Sequence, residues 1–242
     1  MTLNDILIFF GQLVSAVMII PIVMALTKWQ YLDKSLKIFF CFCVASFTFA
    51  FLEQLLLWHT GKYWNELWEP IFTYWQIGDT NFLQILFYLR DFLFLGWFYS
   101  AVLYPRTIAK WIRFIAIFLS IANIINYIFI EGYIEPGVFN PTSDAMFSFL
   151  VPMIGLWYIY HDSAKIDLYK NPVFWISIGL ILPNLLGLFM FFTADYIQKA
   201  DFALYVKLML FTNFFQIIGI ILLTIGFAHA YYMRFFYPES SK

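Results

Sequence analysis

The sequence predicts an all-α fold: a polytopic membrane bundle of seven transmembrane helices, with the N-terminus outside and the C-terminus in the cytoplasm. Composition is the first reason: 63% of the 242 residues are hydrophobic and only 12% are charged, and the mean hydropathy is +0.78. That is far beyond the apolar share of a soluble domain. The second reason is that apolar runs near the ~20 residues needed to cross a ~30 Å hydrocarbon core recur along the whole chain. The third is that basic residues crowd into alternate connections, which sets the orientation. A β-barrel would instead show short alternating segments.

The first run, residues 3–27, opens with MTLNDILIFF. It has no basic n-region and no small-residue cleavage motif, so a retained helix is expected rather than a signal peptide. The second, 35–58, contains the only cysteines, Cys41 and Cys43. At i, i+2 they point to different helix faces and make a poor disulfide or metal pair. Between this run and the third, an aromatic segment at about 59–79 places Trp64, Trp68, Ile71 and Trp75 at helical spacing. It is expected to lie in the outer headgroup region, as an anchor or as a lid. The remaining runs are 81–104, 109–130, 144–161, 171–193 and 203–233. Loops and tail are short, so residues 1–242 are expected to be a single seven-helix domain.

Ten lysines and arginines fall in the first, third and fifth connections and the tail, including Lys34, Arg106, Lys165 and Arg234. The opposite connections hold only Lys62, Lys199 and Lys207 and are rich in acids, Asp144 among them. That bias puts the basic side in the cytoplasm, and the chain is expected to be a multi-pass protein of a cell membrane. The formal charge of −1 carries no nucleic-acid signal.

The third run, FLQILFYLRDFLFLGWFYSAVLY, carries Arg90 and Asp91 side by side near its middle. A charge at a membrane helix centre costs about 2.5–3.5 kcal/mol on insertion scales, so both should face the bundle interior. Adjacent helical residues diverge by ~100°, so the two are not expected to cover one another, and each should find a partner on another helix. Glu53 is the candidate for Arg90, leaving Asp91 to the asparagine side. Asn123 and Asn126 share one face of the fourth run, Asn184 follows Pro183 in the sixth, and Asn213 and Gln216 share a face of the seventh. By ~1.5 Å rise per residue these strongly polar groups gather between the midplane and the outer surface. Two readings fit: an outward-facing polar pocket, or interhelical hydrogen bonding worth ~0.6–2 kcal/mol each.

The inner halves offer mostly hydroxyls such as Ser46, Ser100, Ser177 and Thr224, which can bond their own backbone. A transporter would want polar steps through both halves. The three histidines, His59, His161 and His229, stand at helix ends, so no metal site, cofactor or catalytic residue is expected, and no HExxH, GxSxG or phosphate loop occurs.

Two stretches carry a resemblance. NPVFWISIGLILPNLLGLFMFF, residues 171–192, is similar to the N-P-x-F-W segment that opens the sixth helix in a family of poorly characterised bacterial seven-helix membrane proteins. NFLQILFYLRDFLFLGWFY, residues 81–99, resembles that family's third helix, where an acidic residue followed by Phe matches Asp91 and Phe92. Pro183-Asn184 stands where the family has an aromatic after the glycine of helix six. The resemblance implies seven helices and genes near histidine kinases; no activity comes with it.

The sequence is therefore read as a non-enzymatic membrane sensor or accessory binding subunit. Its candidate ligand residues are Glu53, Arg90, Asp91, Asn123, Asn126, Asn184, Asn213 and Gln216, for a small polar or anionic ligand reaching them from outside. Its other partners would be the lipid bilayer and a membrane or histidine-kinase-type protein. The alternatives are a structural subunit of a larger membrane complex, or a small-molecule transporter.

Overall fold

A computed structural model describes residues 3–64, 68–75, 80–103, 106–132, 137–162 and 167–233. Among them the chain is helical without strands, and seven helical stretches are long and apolar enough to cross a membrane. The first is broken at Met18 into α1 (Leu3–Val17) and α2 (Ile19–Thr27). The others are α3 (Lys34–Tyr63), α5 (Gln84–Val102), α6 (Arg106–Ile130), α7 (Phe139–Asp162), α8 (Pro172–Ala200) and α9 (Phe202–Ala228), with the short α4 (Glu69–Trp75) between α3 and α5.

Local chemistry accounts for several boundaries. Asp33, Asn171 and Asp201 each cap a helix, accepting from the backbone N–H of Leu36, Val173 and Leu204 at 2.9, 2.9 and 3.0 Å. In the N-P-x-F-W segment, Asn171 is thus the cap and Pro172 occupies the first turn, where its missing N–H costs nothing. Glu131, just beyond α6, accepts from the N–H groups of Val138 and Phe139, both at 3.0 Å, and so satisfies the start of α7. Gly132 turns the chain at φ 79°, and a Cβ on Gly137 would collide with the Glu131 carboxylate.

Helix α5 is central, packing against α3, α6 and α7; α8 packs on α7 and α9, and α9 closes back on α1 and α2. The buried core runs through Phe39, Phe92, Phe98, Tyr99, Ile176 and Phe227. Small residues allow the closest approaches, as membrane helices require. A Cβ on Gly96 would overlap Ala116, and one on Gly155 would lie 2.5 Å from the Tyr99 ring. The outward faces carry large apolar side chains such as Phe51, Trp111, Phe118 and Phe192. This surface fits contact with a lipid bilayer and a multi-pass membrane protein.

Two boundaries differ from expectation in ways that matter. At 30 residues, α3 would measure about 45 Å, longer than the hydrocarbon core, so its end projects into the aromatic segment. There His59 Nδ1 accepts from Trp68 Nε1 at 2.8 Å, and Phe72 packs edge-on to both Trp64 and Trp68. Phe72 is the buried member, whereas Ile71, Tyr74 and Trp75 are exposed. Residues 65–67 and 76–79 of that segment lie outside the described residues. The other difference is α7, which starts at Phe139 rather than at 144. Asp144, assigned by sequence to a loop, therefore lies inside a helix long and apolar enough to cross a membrane.

Candidate functional site

The polar cluster sits where α5, α6 and α7 meet. Arg90 and Asp91 do cover one another, contrary to the expectation from helix angles. Arg90 Nε donates to Asp91 Oδ1 at 2.6 Å and Nη2 to Oδ2 at 2.8 Å, a two-pronged ion pair. The length of the arginine stem allows it, swinging the planar head back onto the neighbouring carboxylate. The backbone at both residues is α-helical, and the π-helical turn of α5 runs on from there, over Asp91–Leu95. The guanidinium carbon also lies 5.2 Å from the Phe42 ring centre and 5.3 Å from that of Phe87, a favourable face for a cation. The expected Arg90–Glu53 pair does not form; Glu53 Oε1 accepts from the Thr80 hydroxyl at 2.9 Å instead.

Asp144 is the residue that sequence reasoning missed. It stands within electrostatic reach of both Asp91 and Arg90, so the junction of α5 and α7 holds two carboxylates and one guanidinium. Ser148, one turn further along α7 and 2% exposed, lies by the same carboxyl. Asp91 and Ser148 are both near enough to act on the Asp144 carboxyl. Asp144 Oδ1 and Ser148 Oγ are buried without a partner among the described residues. A period of 3.6 from Asn140 and Phe147 would have placed Asp144 on the same buried face, but only once α7 is known to begin before it.

The asparagines of α6 are spent on α7. Asn123, fully buried, donates to Leu119 O at 2.9 Å and Ser143 Oγ at 3.0 Å. Asn126 donates to Asn140 Oδ1 at 3.0 Å and Glu131 Oε2 at 2.6 Å, at the start of a second π-helical turn, Asn126–Ile130. Both asparagines thus bond across the α6–α7 contact. Asn184 reaches α7 as well, donating to Ser148 O at 3.2 Å and to Leu180 O at 2.8 Å. Tyr88 of α5 closes the cluster toward Glu131, its hydroxyl donating to Gln84 Oε1 at 2.7 Å.

Asn213 and Gln216 are not brought to this cluster. They lie on α9, which packs chiefly against α8, α1 and α2, and they make none of the hydrogen bonds described above. Among the inner hydroxyls, Ser46, Ser100 and Thr224 bond their own helix as expected. Ser177 does not: its Oγ pairs with Tyr99 Oη at 2.8 Å, joining α5 to α8.

Outside the spans, burial is the largest single influence on the Glu131 carboxyl and raises it, but donation from the Phe139 N–H, the Asn126 amide and the Val138 N–H together outweighs it and holds the group below the ordinary carboxylate value. Comparison with protein-family models, with curated proteins and with solved structures finds no match to this chain.

Proposed function

We propose that this chain is a membrane sensor or accessory binding subunit that responds at the α5–α7 junction and passes the response to a membrane or histidine-kinase-type partner. The observation that carries this reading is the buried group Arg90, Asp91 and Asp144, since ionisable residues inside a membrane are costly and accompany function. The two π-helical turns beside it, starting at Asp91 and Asn126, are features frequent at functional sites. In this reading a ligand acts by binding one packing of α5 against α7 better than another. The basic-residue bias supports the N-terminus outside, the C-terminus in the cytoplasm and, with the family resemblance, a bacterial inner membrane.

An anionic ligand would have to displace Asp91 from Arg90, so the free valence of the site is negative rather than positive. A structural subunit of a larger complex is the second reading, favoured by the use of Asn123 and Asn126 in helix pairing. Thiol accessibility separates the two. With Cys41 and Cys43 replaced by alanine, Ser143→Cys in intact cells is expected to react with a membrane-impermeant thiol reagent, because a sensor needs a water path to the cluster. Protection in folded protein would overturn the sensor reading in favour of the subunit.

A further inference from the structure

We propose that Asp144 Oδ1 and Ser148 Oγ bind one further compact positive charge, a proton or an alkali cation, between α5 and α7. This inference rests on the sensor reading for its role and names the ligand class of that site. Charge counting comes first. Arg90 is matched by Asp91 through both prongs, so Asp144 is the second carboxylate for one guanidinium. A buried charge without a counter-charge carries a penalty of several kcal/mol in general; a single added positive charge removes it, whereas a divalent ion would overshoot.

The second observation is independent of charge. Ser148 is 2% exposed, lies beside the Asp144 carboxyl, and its hydroxyl and Asp144 Oδ1 are the two buried side-chain polar atoms left without a partner among the described residues. Native interiors rarely leave such atoms unmatched. A proton on Asp144 converts one acceptor into a donor facing the Asp91 and Ser148 oxygens; an alkali ion satisfies the same oxygens directly. The donors, the Asp144 carboxylate and the Ser148 hydroxyl, are hard oxygens and do not suit a soft transition metal.

The titratable groups around the site come from every neighbouring element. Asp91, Arg90 and Tyr88 face it from α5, Cys43 of α3 lies beyond Arg90, and Tyr127 and Glu131 stand at the end of α6 near Tyr88. From α8 the region is reached by Asn184, which does not titrate.

Thermal unfolding of the purified full-length chain in nanodiscs tests the proposal. At fixed ionic strength, sodium replaces N-methyl-D-glucamine at constant pH; in a second series pH falls without sodium. The wild type is expected to gain several degrees in Tm in one of the two series. A sodium response assigns an alkali ion and a pH response alone assigns a proton. A proton bound at Asp144 raises Tm as pH falls, opposite in sign to the loss expected from Glu131, so the two groups cannot be confused. Asp144→Asn should abolish the response. Ser148→Ala, which leaves the charges intact and keeps the test usable if Asp144→Asn fails to fold, should shift its midpoint in sodium or in pH. A wild type flat in both series, an Asp144→Asn variant that keeps the wild-type response, or an unshifted midpoint in Ser148→Ala would overturn the site. Any of these leaves the sensor reading standing, since that is decided by Ser143→Cys labelling.

Discussion

Gly219 of α9 faces the carbonyl oxygen of Gly179 on α8 so closely that a Cβ on Gly219 would lie 2.5 Å from it. The carbonyl is free to face its neighbour because Pro183, four residues on, has no N–H to offer it. Pro183 itself fills the other side, its Cγ 3.3 Å from the same Cβ position.

Gly219→Ala should therefore destabilise the chain although alanine is the better helix former by roughly 1 kcal/mol. The obstacle is backbone and a proline ring, neither of which can rotate away, so α8 and α9 must separate. The expected cost is about 1–3 kcal/mol, read from denaturant unfolding in mixed micelles. A neutral or stabilised variant would show that the helix contact is looser than described.

Arg90→Leu is expected to be worse than Arg90→Leu combined with Asp91→Leu. The single change strands Asp91 beside Asp144 in the interior, a loss of about 3–5 kcal/mol, whereas the double change removes the pair together. The order of the two unfolding midpoints is the measurement, and a double variant less stable than the single one would mean that the pair is held by more than its own charges.

A double-mutant cycle on Asn123→Ala and Ser143→Ala should give a coupling energy of roughly 0.6–2 kcal/mol, the range of interhelical hydrogen bonds in membrane proteins. The 3.0 Å contact between them is the basis. Additive losses would assign Asn123 to its own carbonyl at Leu119 alone.

Acid should weaken the start of α7. The Glu131 carboxyl is held below its ordinary value when folded, so its stabilising contribution is complete above the unfolded value of about 4.3 and is lost as pH falls through the lower folded value. Hydrogen exchange at the Val138 and Phe139 amides should accelerate across that window in the wild type. Glu131→Gln, which keeps a carbonyl acceptor without the charge, should show faster exchange already at neutral pH and no acid step.

Seven apolar runs were legible because a ~30 Å core imposes a length that few other structures share. The inward position of Arg90 and Asp91 was legible for the same reason: a charge in that length must be covered. Their mutual pairing was not, since the ~100° between neighbours takes no account of how far an arginine stem can fold its head back. Asp144 was misplaced because Asn140, Pro141, Thr142 and Ser143 read as a loop, while in the fold Glu131 supplies acceptors that start α7 ahead of them. Asn213 and Gln216 have the same polar spacing as Asn123 and Asn126, and only the packing order of the helices tells one pair from the other.

The π-helical turn over Asp91–Leu95 is in effect one residue inserted into an α-helix. An α-helix advances about 100° per residue, so that insertion sets the rotational phase between the two ends of α5. At one end Asp91 must point to Asp144; at the other, Tyr99 must point to Ser177. Deleting a single apolar residue from the turn would leave hydrophobicity and span length almost untouched and yet put those two alignments out of step, so that α5 could dock on α7 or on α8 but no longer on both.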